Sequence, residues 1–170
     1  MSGVHVHLLL NHIPVIGMVF GFLVFLLGVW RKNDSWARLG MGMFVVVAIV
    51  SVVTMLTGEG AEEAVEHLPG VTDGIIEEHE EAAKLASIAA YVLGGVSLLG
   101  LLWVRGRPLP RALTVTVLPI ALLVAGLMGY TANLGGQVRH TEIRAGALVT
   151  GEAAGGVELD EQDEEKRAEH

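Results

Sequence analysis

Cysteine is missing altogether from this chain. Its absence excludes disulfides, thiolate-held zinc, iron–sulfur clusters and covalently attached c-type haem. Any metal or haem must be held by nitrogen or oxygen ligands, or by methionine. Aromatic side chains are scarce, at 5% of residues, which leaves few of them to wall a large flat ligand. Four stretches also lack every Lys, Arg, Asp and Glu: residues 13–30, 39–57, 85–104 and 112–134. Nothing in the chain forms a phosphate loop or a nucleotide fingerprint. Ser51, Ser87 and Ser97 lie in apolar runs with no base beside them, so an enzyme acting on its own is not expected.

The charge-free stretches are close to the roughly 20 helical residues that cross about 30 Å of hydrocarbon. None carries the polar stripe of a helix lying on a soluble core. The expectation is an all-α, integral membrane four-helix bundle over residues 1–145. An exterior connection at 58–84 should add a short helical cap, and 146–170 should be a flexible acidic tail. The first residues have no basic segment and no small-residue cleavage site before Arg31, so the first span reads as retained.

Charge sets the orientation. The connections at 31–38 and 105–111 hold six of the eleven basic residues and only one acid, Asp34. The positive-inside rule assigns them to the cytoplasm. The two termini and the 58–84 connection then share the periplasmic side of a bacterial plasma membrane, with five basic and eighteen acidic residues. So acidic an exterior is no partner for nucleic acid. It would attract a basic periplasmic redox carrier, with solubility as the plainer explanation.

Small residues let helices approach closely in lipid. Gly17 with Gly21, Gly40 with Gly42, Gly94 with Gly95 and Gly126 with Gly129 offer such surfaces. Pro14 falls in the first turn of its helix, where it costs little, whereas Pro119 lies inside the fourth span and should kink it.

Six of the seven histidines, His5, His7, His12, His67, His79 and His140, border the spans on the exterior side. His5 and His7 lie in an expected frayed terminus and are optional. His170 ends the tail and needs no role. His12, His79 and His140 share one level, on three helices, and make the favoured ligand set. In the connection, Glu59, Glu63 and His67 fall on one face of a predicted helix over 58–68. The Glu-x-x-His pairs of a ferritin-like di-iron site are absent.

His12-Ile13-Pro14, His79 at the start of the third span, and Asn133-Leu134-Gly135-Gly136-Gln137-Val138-Arg139-His140 at the end of the fourth resemble a family of bacterial four-helix membrane proteins of unknown function. That family is marked by a His-[Phe/Ile]-Pro start, a histidine opening helix three and a Leu-Gly-Gly-x-x-Val-x-x-His-type ending. The similarity covers residues 4–145, with departures at Gln137, Arg139 and Thr141. It implies the fold and the trio His12, His79 and His140, and no activity.

Gly135-Gly136 allows a helix C-cap with positive φ, or close approach of backbone to a flat ligand. Imidazole ligation in a glycine-lined bundle points to haem b, with His12 and His79 as axial ligands, Arg139 facing a propionate and His140 in support. The alternative is a zinc, copper or iron ion held by His12, His79, His140 and His67 or Glu63. Function follows as a small membrane subunit passing electrons to a partner complex or periplasmic carrier. A non-catalytic accessory subunit packing against other membrane proteins is the alternative. A transporter has less behind it, because the spans hold no charge at mid-membrane depth.

Overall fold

The computed structural model describes residues 3–58, 60–61 and 73–140. Among them the chain is helical: α1 spans Gly3–Leu10, α2 His12–Trp30, α3 Asp34–Leu56, α4 Asp73–Trp103 and α5 Arg111–Arg139. The expected spans are all present, each inside a helix long and apolar enough to cross a membrane. The expected tail at 146–170 and most of the cap at 58–68, from Glu59 and from Glu62 onward, lie outside the described residues.

Sequence dictates where these helices begin and break. Asn33 caps α3, its side chain accepting from the Trp36 N–H at 3.2 Å, so one orphan donor of the first turn is satisfied. Asp34 and Asp73 open α3 and α4, where negative charge suits the helix dipole. Pro14 explains the separation of α1 from α2. It has no N–H to give the Leu10 carbonyl, so the hydrogen-bond ladder is interrupted there, while Asn11 keeps a right-handed helical backbone and α2 carries the proline in its first turn. α5 passes through Pro119 as one unbroken helix.

α2 packs on α3, α3 on α4, α4 on α5 and α5 on α2, closing a ring of four. The diagonal pairs, α2 with α4 and α3 with α5, bring no Cα atoms within 8 Å of one another among the described residues. Met18, Phe25, Met41, Phe44, Val117 and Val124 are fully buried along the axis. Phe25 and Phe44 meet with centroids 5.7 Å apart and planes at 59°, a tilted arrangement that suits aromatic quadrupoles. The outward faces are apolar: Leu23, Val46, Ile49, Leu99 and Leu122 are each more than half exposed. A surface of that kind around a whole bundle is a lipid surface.

Only some of the expected glycine contacts form. Gly40 lies against the Phe25 backbone, Gly28 against Ala37, Gly94 against Ala48, and Gly17 and Gly21 against Val47 and Phe44. Gly42, Gly95, Gly126 and Gly129 face open space. Each helix turns one stripe inward, so of two glycines one or two positions apart only one can reach the partner.

The bundle contains two equivalent hairpins, a repeat that sequence reading missed. Buried positions of α2 and α4 correspond at one constant offset: Pro14 with Ala86, Met18 with Ala90, Gly21 with Leu93, Phe25 with Ser97 and Gly28 with Gly100. Those of α3 and α5 do likewise, with Gly40 matching Val117, Phe44 matching Ala121, Val47 matching Val124 and Ser51 matching Met128. The ring of contacts maps onto itself under this exchange. The two hairpins thus share one register of buried positions and one pattern of neighbours.

At the basic end the two hairpins are tied together. The Leu109 N–H donates to Asp34 Oδ2 at 2.8 Å, and Arg38 donates to the carbonyls of Val104, at 3.3 Å, and of Arg107. Trp30, Trp36 and Trp103 stand at the same end, with Arg31 over the Trp30 ring at 5.7 Å, the place of an interfacial aromatic belt. Asp34→Ala removes the Leu109 acceptor and should cost about 1 kcal/mol. Thermal unfolding in detergent should show a small loss without loss of fold.

Candidate functional site

At the opposite end the helix starts and ends converge, and the described histidines are found there. His79 lies on the inward stripe of α4, in step with the buried Ile76 and Ala86. Its Nδ1 stands 3.1 Å from the Thr131 carbonyl of α5. A carbonyl only accepts, so the ring carries its proton on Nδ1 and keeps the Nε2 lone pair for another partner. The Tyr130 hydroxyl donates to Glu78 at 2.8 Å, pinning the same turn of α4 onto α5.

Gly135 gives the ring its space. A Cβ built there would lie 3.0 Å from His79 Cε1 and 3.4 Å from Nδ1. The expected C-cap at Gly135-Gly136 is not formed, and Gly135 makes room for the ring instead. α5 continues to Arg139 with no positive φ at these glycines, so they do not cap the helix. Among the described residues it is an imidazole edge that approaches the Gly135 backbone.

His7 is the residue that sequence reading undervalued. It belongs to the helix α1 rather than to a frayed end, and its Nδ1 lies 3.0 Å from the Thr54 carbonyl of α3. Gly58 stands beside it, the position of a Cβ there being 3.9 Å from His7 Cε1. A recurring Thr-x-x-x-Gly, Thr54 to Gly58 and Thr131 to Gly135, each opposite a histidine, was the signal that could have found it.

Electrostatics couple the two rings. His79 precedes the uncharged stretch of α4 that begins at Leu85, and burial pushes its imidazole below the usual histidine value. The bond to Thr131 acts the other way, and charge on His7 adds to the downward push. A neutral His79 is the form that offers an Nε2 lone pair.

The other expected residues are placed differently. His12 is exposed at the α1–α2 junction, its Nδ1 against the Asn11 side-chain oxygen. The repeat makes it the counterpart of Lys84, which pairs with Glu80 at 2.8 Å on the surface of α4. His140 is exposed just past α5, its backbone N–H donating to the Gly136 carbonyl at 2.9 Å. Glu63, His67 and the Arg139 side chain lie outside the described residues. Among the described residues no three His, Asp or Glu side chains come together as a metal-holding group. His12, His79 and His140 thus do not form a ready tridentate site here.

No curated protein and no solved structure matches the chain. A family described as "Predicted membrane protein (DUF2231)" matches residues 3–143. That range takes in both hairpins and both anchored histidines, and the chain belongs to this family of predicted membrane proteins.

Proposed function

We propose that the protein is a small membrane subunit that holds a haem or metal centre through histidines at the acidic end of its bundle and serves electron transfer. The observation that carries this reading is the His79 imidazole, half-buried between α4 and α5 and locked by the Thr131 carbonyl with Nε2 unprotonated. Histidine ligands are commonly oriented in this way through the other ring nitrogen. Haem b is the favoured centre; a zinc, copper or iron ion is the alternative. His12, His140, Arg139, His67 and Glu63 are the further candidates to complete the site.

Orientation and partners follow the charge. The basic, tryptophan-bearing end faces the cytoplasm of a bacterial cell, and the histidine end faces the periplasm. A centre at one face cannot carry electrons across the bilayer alone, so a partner complex or a basic periplasmic carrier takes them. The open glycines Gly42, Gly95, Gly126 and Gly129 favour a second reading, a non-catalytic accessory subunit lying against a larger membrane complex.

A visible spectrum of the protein purified from membranes, with elemental analysis of the same sample, separates the two. A Soret band with a reduced α-band, or one bound metal per chain, is the expected result. Neither signal in freshly isolated protein would remove the cofactor reading and leave the accessory one.

A further inference from the structure

We infer that His7 and His79 are the two protein ligands of one transition-metal centre, haem iron or a free divalent ion, set between the two hairpins at the mouth of the bundle. The inference rests on the cofactor reading above and replaces its ligand pair. Two independent observations meet on these residues. The first is their equivalence: His7 relates to His79 by the same offset that relates Pro14 to Ala86 and Gly28 to Gly100. Two hairpins that share one register and one pattern of neighbours put equivalent inward residues at one level of the bundle.

The second is the shared local chemistry. Each imidazole gives its Nδ1 proton to a threonine carbonyl in the closing turns of a neighbouring helix, Thr54 of α3 at 3.0 Å and Thr131 of α5 at 3.1 Å. Each ring has beside it the glycine four residues further on, Gly58 or Gly135. Anchored Nδ1–H leaves both Nε2 atoms as neutral donors, the state that metal ligation requires. The two hairpins differ in most of their side chains, as Phe25 with Ser97 and Phe44 with Ala121 show, yet both carry this Thr-His-Gly arrangement.

His12 does not share these properties. It corresponds to Lys84 and bonds to its neighbour Asn11.

The test uses the full-length protein in detergent, titrated with haemin in one arm and with Zn2+ in the other. Visible absorption reads the first and calorimetry the second; whichever probe binds identifies the source of the metal centre. His7→Ala and His79→Ala should each weaken that probe at least tenfold, and in the haemin arm each should convert a six-coordinate spectrum to a five-coordinate one. Lys84→Ala, on the exposed surface of α4, should leave binding within about twofold. Nitrogen-15 NMR of the unliganded protein provides a readout that needs no variant: both His7 and His79 should be Nδ1–H tautomers, and the probe should shift both Nε2 resonances. Binding lost in His12→Ala or His140→Ala but kept in His7→Ala would overturn the pair and leave the cofactor reading standing. A wild-type protein that binds neither probe would remove both.

Discussion

Gly40→Ala should destabilise the bundle by about 3 kcal/mol, near the upper end for adding a methyl group to a filled interior. The added Cβ would lie 2.6 Å from Phe25 Cβ and 2.7 Å from Phe25 Cα and N. Two of these three atoms are backbone, which cannot rotate aside, so the whole of α2 must move outward from α3. Gly28 faces the same difficulty from the other helix, its Cβ position being 2.3 Å from the Ala37 nitrogen. The α2–α3 hairpin is therefore held by backbone contact on both strands of the crossing, the kind of approach that association in lipid depends on. Gly42→Ala supplies the control. Nothing lies within 4 Å of that Cβ, and alanine gains up to about 1 kcal/mol in helix propensity. Reversible unfolding in mixed detergent should separate the two variants clearly; equal stabilities would mean that α2 and α3 do not touch where the structure has them touch.

The contrast between Gly40 and Gly42 also shows what the sequence could not convey. Absence of charge located the spans, because a charged residue in hydrocarbon is costly wherever it faces. Which way each helix turns is a different question, and in a membrane the usual clue is gone: both the core face and the lipid face are apolar, so Phe25 and Leu23 read alike although one is fully buried and the other half exposed. The register shared by the two hairpins was hidden by the same degeneracy. Phe25 and Ser97, or Phe44 and Ala121, occupy equivalent buried places with no resemblance between them, since packing volume is shared differently in the two hairpins.

The histidines were legible as a group and not as a set of partners. Their common side followed from charge counting, and His79 stood out at the start of its helix. His7 was set aside because chain ends usually fray. What overrides that tendency is tertiary: α1 packs against α3, and the Thr54 carbonyl receives the ring. His12 looked stronger for standing beside the proline, yet it lies on an exposed face of its helix.

Gly135→Leu should dislodge His79 and take the candidate site with it. Even a bare Cβ at this position would sit 3.0 Å from the ring, with Nε2 at 3.7 Å, so a leucine's further carbons must occupy the volume that the imidazole now fills. The ring then leaves the Thr131 carbonyl, giving up a bond of about 1 kcal/mol and, more importantly, the constraint that fixes its tautomer and direction. A ligand freed in this way loses its preorganisation, and a fall of about tenfold or more in affinity for haemin or Zn2+ is expected. Gly58→Leu should be milder, because the space beside His7 is wider at 3.9 Å, and Gly129→Leu should be silent, because that position opens outward. Nitrogen-15 spectra of the three variants provide the check even without any bound centre: the His79 Nδ1–H signal should vanish only in Gly135→Leu. If it persists there, the glycine is not what admits the imidazole, and the His79 ring does not lie against α5 as the bond to Thr131 requires.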